Sequence, residues 1–299
     1  MKIGYPCINL SLPCRSSRTF RLASYSDERL RETVGSNLDC LSEILKFNAS
    51  RGFLFFRLTS DLVPFASHPV CTFPWQSFFR EKLREIGNYV SANGMRVAMH
   101  PDQFVLINSL SEKIFLASVR ELVYHAEVLD LMGIDASGKI QIHVGGVYGD
   151  RDESLKRFVR RYRELPSSIR KRLVIENDER LYSAADCLRI HESTGIPVVF
   201  DVFHYQCRND GEDLAEAVRK AAGTWSKNDG ILIVDYSSQA KGKRFGTHTE
   251  SIDTRDFRAF LKATDGIDFD IMCEIKDKEK SALKALLIAL ALRRIHPDS

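Results

Sequence analysis

The sequence predicts a (β/α)₈ TIM barrel, and three observations carry that prediction. Short β-rich apolar runs alternate with helical periods about eight times along the 299 residues, which implies parallel strands joined by helical crossovers. Polar residues of metal-binding type end strand after strand, as suits a fold whose strand ends all meet on one face. The turn after the first strand, Tyr5-Pro6-Cys7-Ile8-Asn9, lacks the glycine-rich phosphate loop of a doubly wound sheet, and the later Gly145-Gly146 pair is too short to make one. No Pro/Gly linker or longer repeat divides the chain, so 1–299 reads as a single TIM-barrel domain.

Strands are expected over Ile3–Asn9, Phe53–Leu58, Arg96–His100, Ile140–Val144, Leu173–Asn177, Val198–His204, Ile231–Tyr236 and Phe269–Ile275. The segment 11–25 after the first strand is long and basic (Arg15, Arg18, Arg21), in the manner of a loop over an active face. Phe79, Leu83, Ile86 and Val90 recur at helical spacing and predict a helix stopped by Gly94. Leu122, Ala126 and Leu129 predict another, closed by Gly133, and Leu155, Phe158, Val159 and Tyr162 a third. The apolar stretch from Ala285 to Leu292 falls far below the ~20 residues that span a bilayer and reads as a buried last helix.

Composition narrows the function classes. Net charge is +3, from 43 basic and 40 acidic side chains, so no global basic field exists and any nucleic-acid contact needs a local patch. Seven cysteines without a CxxC pair read as reduced thiols of a cytoplasmic protein. The opening MKIGYPCINL lacks a sustained apolar run and reads as a strand, not a leader. A monomer without a membrane partner is expected. The basic run Lys156, Arg157, Arg160, Arg161 and Arg163, with Arg170 to Arg172, reads as a solvated helix face. Lys241, Lys243 and Arg244 lie instead in an active-face loop, where they can hold backbone phosphates.

The chemistry lies in the strand ends. His100, His143, Glu176, Asp201, Asp235 and Glu274 close six of the strands, His204 follows Asp201, and His248 lies in the loop after Asp235. A parallel strand is buried on both faces, so an ionisable end is costly unless paired or metal-bound. Imidazoles with carboxylates favour Zn²⁺, Mn²⁺ or Fe²⁺ over Mg²⁺ or Ca²⁺ alone. Eight such groups exceed the roughly four that one tetrahedral site takes, so two or three ions are implied. Such clusters mostly serve phosphate or amide hydrolysis, with a carboxylate bridging two ions, and Glu176 is the candidate bridge. His125 and His191 lie in helical segments and His296 in the tail, where structural roles are expected. His68 stands between the two cases, as a phosphate contact or a support behind a ligand.

These motifs resemble the UV damage endonuclease family, a branch of the endonuclease IV-like barrels. The resemblance rests on GYPCIN (4–9), Arg57, PFASHP (64–69), MHPDQ (99–103), HVGGVYG (143–149), ENDER (176–180), DVFH (201–204), GTH (246–248) and EIKDK (274–278), and so covers essentially the whole chain. It implies cutting of duplex DNA immediately 5′ to cyclobutane pyrimidine dimers or 6-4 photoproducts, leaving a 3′-hydroxyl and a 5′-phosphate. It also implies a divalent metal cluster, with manganese favoured and zinc, magnesium or cobalt as alternatives. Glu176, His68 and Lys276 become the catalytic candidates. Gln103 and Phe104 become the lesion probe, with Tyr5 and Asn9 near the extruded dimer. Some relatives carry Lys-x-His at the end of the seventh strand, the lysine bearing a carboxylate modification. Here Ile233 and Asp235 stand in those places, so Asp235 is expected to replace the histidine as an oxygen ligand. An abasic-site endonuclease, a metal-dependent sugar isomerase and a non-enzymatic binding barrel are the competing readings.

Overall fold

A computed structural model describes residues 1–209 and 211–295; His296 lies outside the described residues. Strands β1 (Ile3–Pro6), β2 (Phe55–Leu58), β3 (Arg96–Met99), β4 (Lys139–His143), β5 (Leu173–Glu176), β6 (Val198–Asp201), β7 (Leu232–Tyr236) and β8 (Phe269–Cys273) pair in parallel, each with the next. β8 closes on β1, with Ile3 opposite Ile271, and completes the expected (β/α)₈ barrel. Helices α1 (Asp27–Arg51), α2 (Trp75–Phe78), α3 (Arg80–Ala92), α4 (Glu112–Met132), α5 (Arg151–Glu164) and α6 (Ser167–Arg170) lie between the first five strands. Helices α7 (Ala184–Thr194), α8 (Val202–Cys207), α9 (Leu214–Ala222), α10 (Thr254–Ala263) and α11 (Glu279–Ala291) complete the ring.

Several strands are shorter than the apolar runs suggest, because the chain turns away as soon as the barrel edge is reached. β6 stops at Asp201, whose carboxylate accepts a hydrogen bond from the His204 backbone N–H at 2.7 Å and starts α8. His204 therefore sits on a helix, not on a strand. The helical stripes behave as read: α3 buries Leu83, Ile86 and Val90, α4 ends on Gly133 at φ 73°, and α5 buries Leu155, Phe158 and Tyr162.

Inside the barrel, alternation along each strand builds layers. Phe55, Ala98, Val174, Val199, Ile233 and Met272 form one buried apolar cluster across the middle. Two residues further along each strand stand Arg57, His100, Glu176, Asp201, Asp235 and Glu274. The period-2 register thus turns an apolar layer into the floor of a polar one.

Three expectations need correction. Cys14 and Cys40 form a disulfide that ties the loop after β1 to α1, so the thiols are not all free. Helix α11 is only half buried: Ala285 and Ala289 pack inward, while Leu287 is 58% exposed and Leu283 and Leu290 share its outer side. Arg172, read as part of a solvated run, is buried and bonds Asp130 and the carbonyls of Ile134, Asp135 and Gly138. The rest of the basic run fits the solvated reading better, with Lys156 paired to Glu153 and Arg161 to Glu164. No described helix is long and apolar enough to cross a membrane.

Candidate metal centre

The six polar strand ends converge at the mouth of the barrel. Glu176 lies at the centre. Its Oε1 is 2.7 Å from His100 Nε2 and 3.2 Å from His143 Nε2, and its Oε2 accepts from Gln141 Nε2 at 2.6 Å. Donor atoms gather in three sets within metal-binding reach: His100, His143 and Glu176; Glu176, Asp201 and His204; Asp201, Asp235 and Glu274. Glu176 belongs to two of them, the position a bridging carboxylate needs. His248 joins at the rim, its ring 5.8 Å from that of His204.

The imidazoles are oriented for ligation. The Nδ1–H of His100 donates to the Pro101 carbonyl at 2.8 Å, that of His204 to Asn177 O at 3.1 Å, and that of His248 to Glu274 O at 2.9 Å. A carbonyl only accepts, so in all three rings Nδ1 carries the proton and Nε2 is left for a cation. His143 is the exception, with a buried Nδ1 that has no partner. Asp201 Oδ2 is also buried without a hydrogen bond, a costly state that a cation removes. Glu176, Asp201, Asp235 and Glu274 place four carboxylates in this layer against one guanidinium, Arg57. The donor set and its unbalanced charge fit a cluster of divalent ions.

Electrostatics follow from the same crowding. Burial raises the Asp201 carboxyl far above the usual range, only partly opposed by His204. Burial also pushes Asp235 up to about 7 against the pull of Arg57. Glu274 goes the other way: burial raises it, but Arg57, His248 and His100 together bring it down to about 2. Glu176 is lowered despite burial, because His143 and His100 face it. Burial disfavours the charged form of His204, yet Asp201 and Glu176 raise it to about 9. Groups pushed apart in this way mark functional sites more often than structural ones.

The loops around the cluster carry the other candidates. Gln103 and Phe104 stand exposed in the turn after β3, Phe104 at 63%. Phe104 and His68 line one groove of about 360 Å³ together with Pro69 and Ile114. His68 is exposed and outside the three ligand sets; its Nδ1 accepts from the Val70 N–H at 3.1 Å. Lys276 is 46% exposed and paired with Glu250 at 2.5 Å. Lys241, Lys243 and Arg244 are exposed on a loop folded as a small hairpin before His248. There the Gln239 side chain donates to Arg244 O at 3.0 Å and accepts from the Gly246 N–H at 2.9 Å.

Tyr5 and Asn9 do not fit their expected place. Tyr5 is fully buried, donates to Asn48 of α1 at 2.5 Å and accepts from Asn9 Nδ2 at 2.7 Å. Its side chain points out of the strand toward the helix, so it braces the wall behind the loop instead of lining a pocket. Asn9 is spent on the same brace and on the backbone N–H groups of Ser11 and Leu12. Sequence reasoning assigned no role to four further residues. Arg57 and Gln141 cross-link the carboxylates from within the strands. Asn177 exchanges two hydrogen bonds with the Asp201 backbone and positions His204. Phe245, 58% exposed, shares the basic hairpin. A charged or amide side chain inside an apolar strand run was the available signal for Arg57 and Gln141.

Two helical histidines, His125 and His191, are structural. His125 is buried between the Glu121 carbonyl and Ser60 Oγ, and His191 binds the Ile196 carbonyl at 2.9 Å. Backbone strain, by contrast, gathers at the mouth. Cys7, Phe65, Tyr148 and Lys278, all in loops that follow strands, adopt positive φ without being glycine, at about 1 kcal/mol or more each. Gly145 at φ 111° lies so close to Asn108 that a Cβ would meet its Oδ1 at 2.3 Å.

Comparison with known proteins agrees with this geometry. The family model described as UV-endonuclease UvdE matches residues 1–297. A UV DNA damage endonuclease of Clostridium perfringens is 38% identical over 288 residues, covering 96% of this chain and 70% of that protein. The crystal structure of SacUVDE superposes with a TM-score of 0.94 at 44% identity, covering 99% of this chain and all of that one. Endonuclease IV from Thermus thermophilus shares the fold alone, with a TM-score of 0.54 at 17% identity over 85% of this chain and 95% of that one. The chain belongs to the UV-endonuclease UvdE family, a family of endonucleases, along essentially its whole described length.

Proposed function

We propose that this protein nicks duplex DNA immediately 5′ to UV photoproducts, both cyclobutane pyrimidine dimers and 6-4 photoproducts, leaving a 3′-hydroxyl and a 5′-phosphate. The observation that carries the reading is the Glu176-centred set of imidazoles and carboxylates at the barrel mouth, in a chain of this family. His100, His143, Glu176, Asp201 and His204 would hold manganese, with His248 and Glu274 completing the set and Asp235 adding its charge. Bound divalent ions would acidify a water and offset charge on the scissile phosphate and the leaving oxygen.

The chain's own residues supply the rest. Lys241, Lys243 and Arg244 grip backbone phosphates, as exposed cations on an ordered loop can. Phe104 stacks on an unpaired base, and Gln103 offers a donor and an acceptor to the bases opposite the lesion. Flipping costs least where pairing is already damaged, so this pair selects for weak stacking. Phe245 adds a second exposed aromatic beside the basic side chains. Lys276 lies two residues beyond Glu274 and, once released from Glu250, can pair with a phosphate oxygen. His68 borders the groove beside Phe104 and contacts the strand there. The protein acts as a monomer in the cytoplasm.

The test uses end-labelled duplexes carrying a dimer, an abasic site or no lesion, with Mn²⁺ or with chelator, and maps the cut. A single nick 5′ to the dimer, lost with chelator, is expected. Preferential cutting at the abasic site, or cutting that survives chelation, contradicts the reading.

A further inference from the structure

We propose that Arg57 holds the place of a third cation, so that the cluster takes two divalent ions and not three. The inference rests on the metal-centre reading above and concerns how many ions that centre holds. The three ligand sets are not equivalent. Those built on His100, His143 and Glu176, and on Glu176, Asp201 and His204, take hydrogen bonds from imidazoles, Gln141 and backbone N–H groups. The set of Asp201, Asp235 and Glu274 already contains a cation. Arg57 Nη2 lies 2.8 Å from both oxygens of Asp235 and 3.0 Å from Gln141 Oε1, and Nη1 donates to Glu274.

The guanidinium is placed by the fold. It rises from β2 two residues beyond Phe55 of the apolar layer, and its side chain is 4% exposed. It stays charged at any working pH, and its planar fork matches carboxylates. Asp235 is engaged on both oxygens, since Oδ2 also accepts from Gln141 Nε2 at 2.5 Å. A divalent ion held by Asp235 and Glu274 would displace these donors or lie against Arg57 in a buried, low-dielectric site. Ile233, two residues before Asp235, is packed in the apolar layer and adds no ligand of its own beside Asp235. Asp235 then serves as the counter-charge that fixes Arg57 and not as a ligand, while Glu274 keeps one oxygen free for an ion.

The test counts ions on the full chain without DNA. Protein stripped by chelator is dialysed to equilibrium against millimolar Mn²⁺, and bound manganese per chain is measured by plasma mass spectrometry. Wild type should bind two. Arg57→Met, which keeps the stem and removes the charge, should bind three, and Arg57→Met with Asp235→Asn should return to two. Three ions in wild type, or two in folded Arg57→Met, overturns the proposal. Should Arg57→Met not fold, the wild-type count still decides. One ion or none in wild type removes the cluster reading itself, an outcome distinct from the failure of Arg57 as its third charge.

Discussion

The two ends of the barrel interior both bury charge, and they do so in opposite ways. At the N-terminal end Arg96 donates to Asp270 at 3.0 Å and to the Ile231 carbonyl at 2.8 Å, and it stacks on Phe55 and Trp225. Beside it Lys139 donates to Asp229 at 2.5 Å and to the Lys171 carbonyl at 3.0 Å. Two cations meet two carboxylates, and the remaining donors find carbonyls. At the C-terminal end Arg57 meets only two of four carboxylates, Asp235 and Glu274, imidazoles face the other two, and Asp201 Oδ2 and His143 Nδ1 have no hydrogen-bond partner. Burial of ions is therefore not what marks a site, since both ends do it. The unbalanced end marks it, because its polar atoms are complete only when something else arrives.

That contrast can be broken by experiment. The largest effect is expected from Glu176→Gln, which keeps shape and removes the bridging charge. Nicking should fall roughly 10⁴-fold, about 5 kcal/mol of transition-state stabilisation, while the circular dichroism spectrum is retained; normal turnover would refute the bridge. Arg96→Met at the other end should do the reverse. Breaking that buried pair should cost about 3–5 kcal/mol in urea unfolding and leave nicking per folded molecule unchanged.

A third effect separates imidazoles. Burial lowers His125 to about 4, below its unfolded value of about 6.5. The unfolded state therefore binds more protons between these values, and the stability that the neutral ring contributes is full above pH 6.5 and lost as pH falls toward 4. The loss should reach about 3 kcal/mol and vanish in a His125 variant that still folds; an unchanged pH slope would contradict it. Saturating Mn²⁺, at a hundredfold its dissociation constant, should add about 2.7 kcal/mol per bound ion to wild type and equally to Arg96→Met. The smallest effect is at the rim. Gln103→Ala with Phe104→Ala should lose about 1–3 kcal/mol of binding to dimer-containing duplex with metal content intact. Unchanged discrimination between damaged and intact DNA would remove the probe.

Much of this was legible before the structure. Eight strands and their polar ends could be placed because a buried parallel strand is apolar along its body, so each ionisable terminus stood out. Arg57 stood out in the resemblance but without a role, and Gln141 escaped a reading that looked only at strand ends, although a polar residue in FFRL and KIQIH is the same kind of anomaly. Tyr5 was misplaced because its neighbours in the chain face the mouth while alternation turns its own side chain toward α1. The Cys14–Cys40 bond joins residues 26 apart with no motif between them, and only the fold brings them together. Asp201 was legible as a candidate ligand but not as the cap of α8, a role set by where β6 ends.

The most direct measurement is anomalous X-ray scattering from crystals equilibrated with Mn²⁺. Peaks are expected at the C-terminal end within ligand distance of Glu176, one toward His100 and His143 and one toward Asp201 and His204, and none among Arg96, Lys139, Asp229 and Asp270. Absence of a peak beside Glu176 in a folded, manganese-saturated crystal would contradict the metal centre.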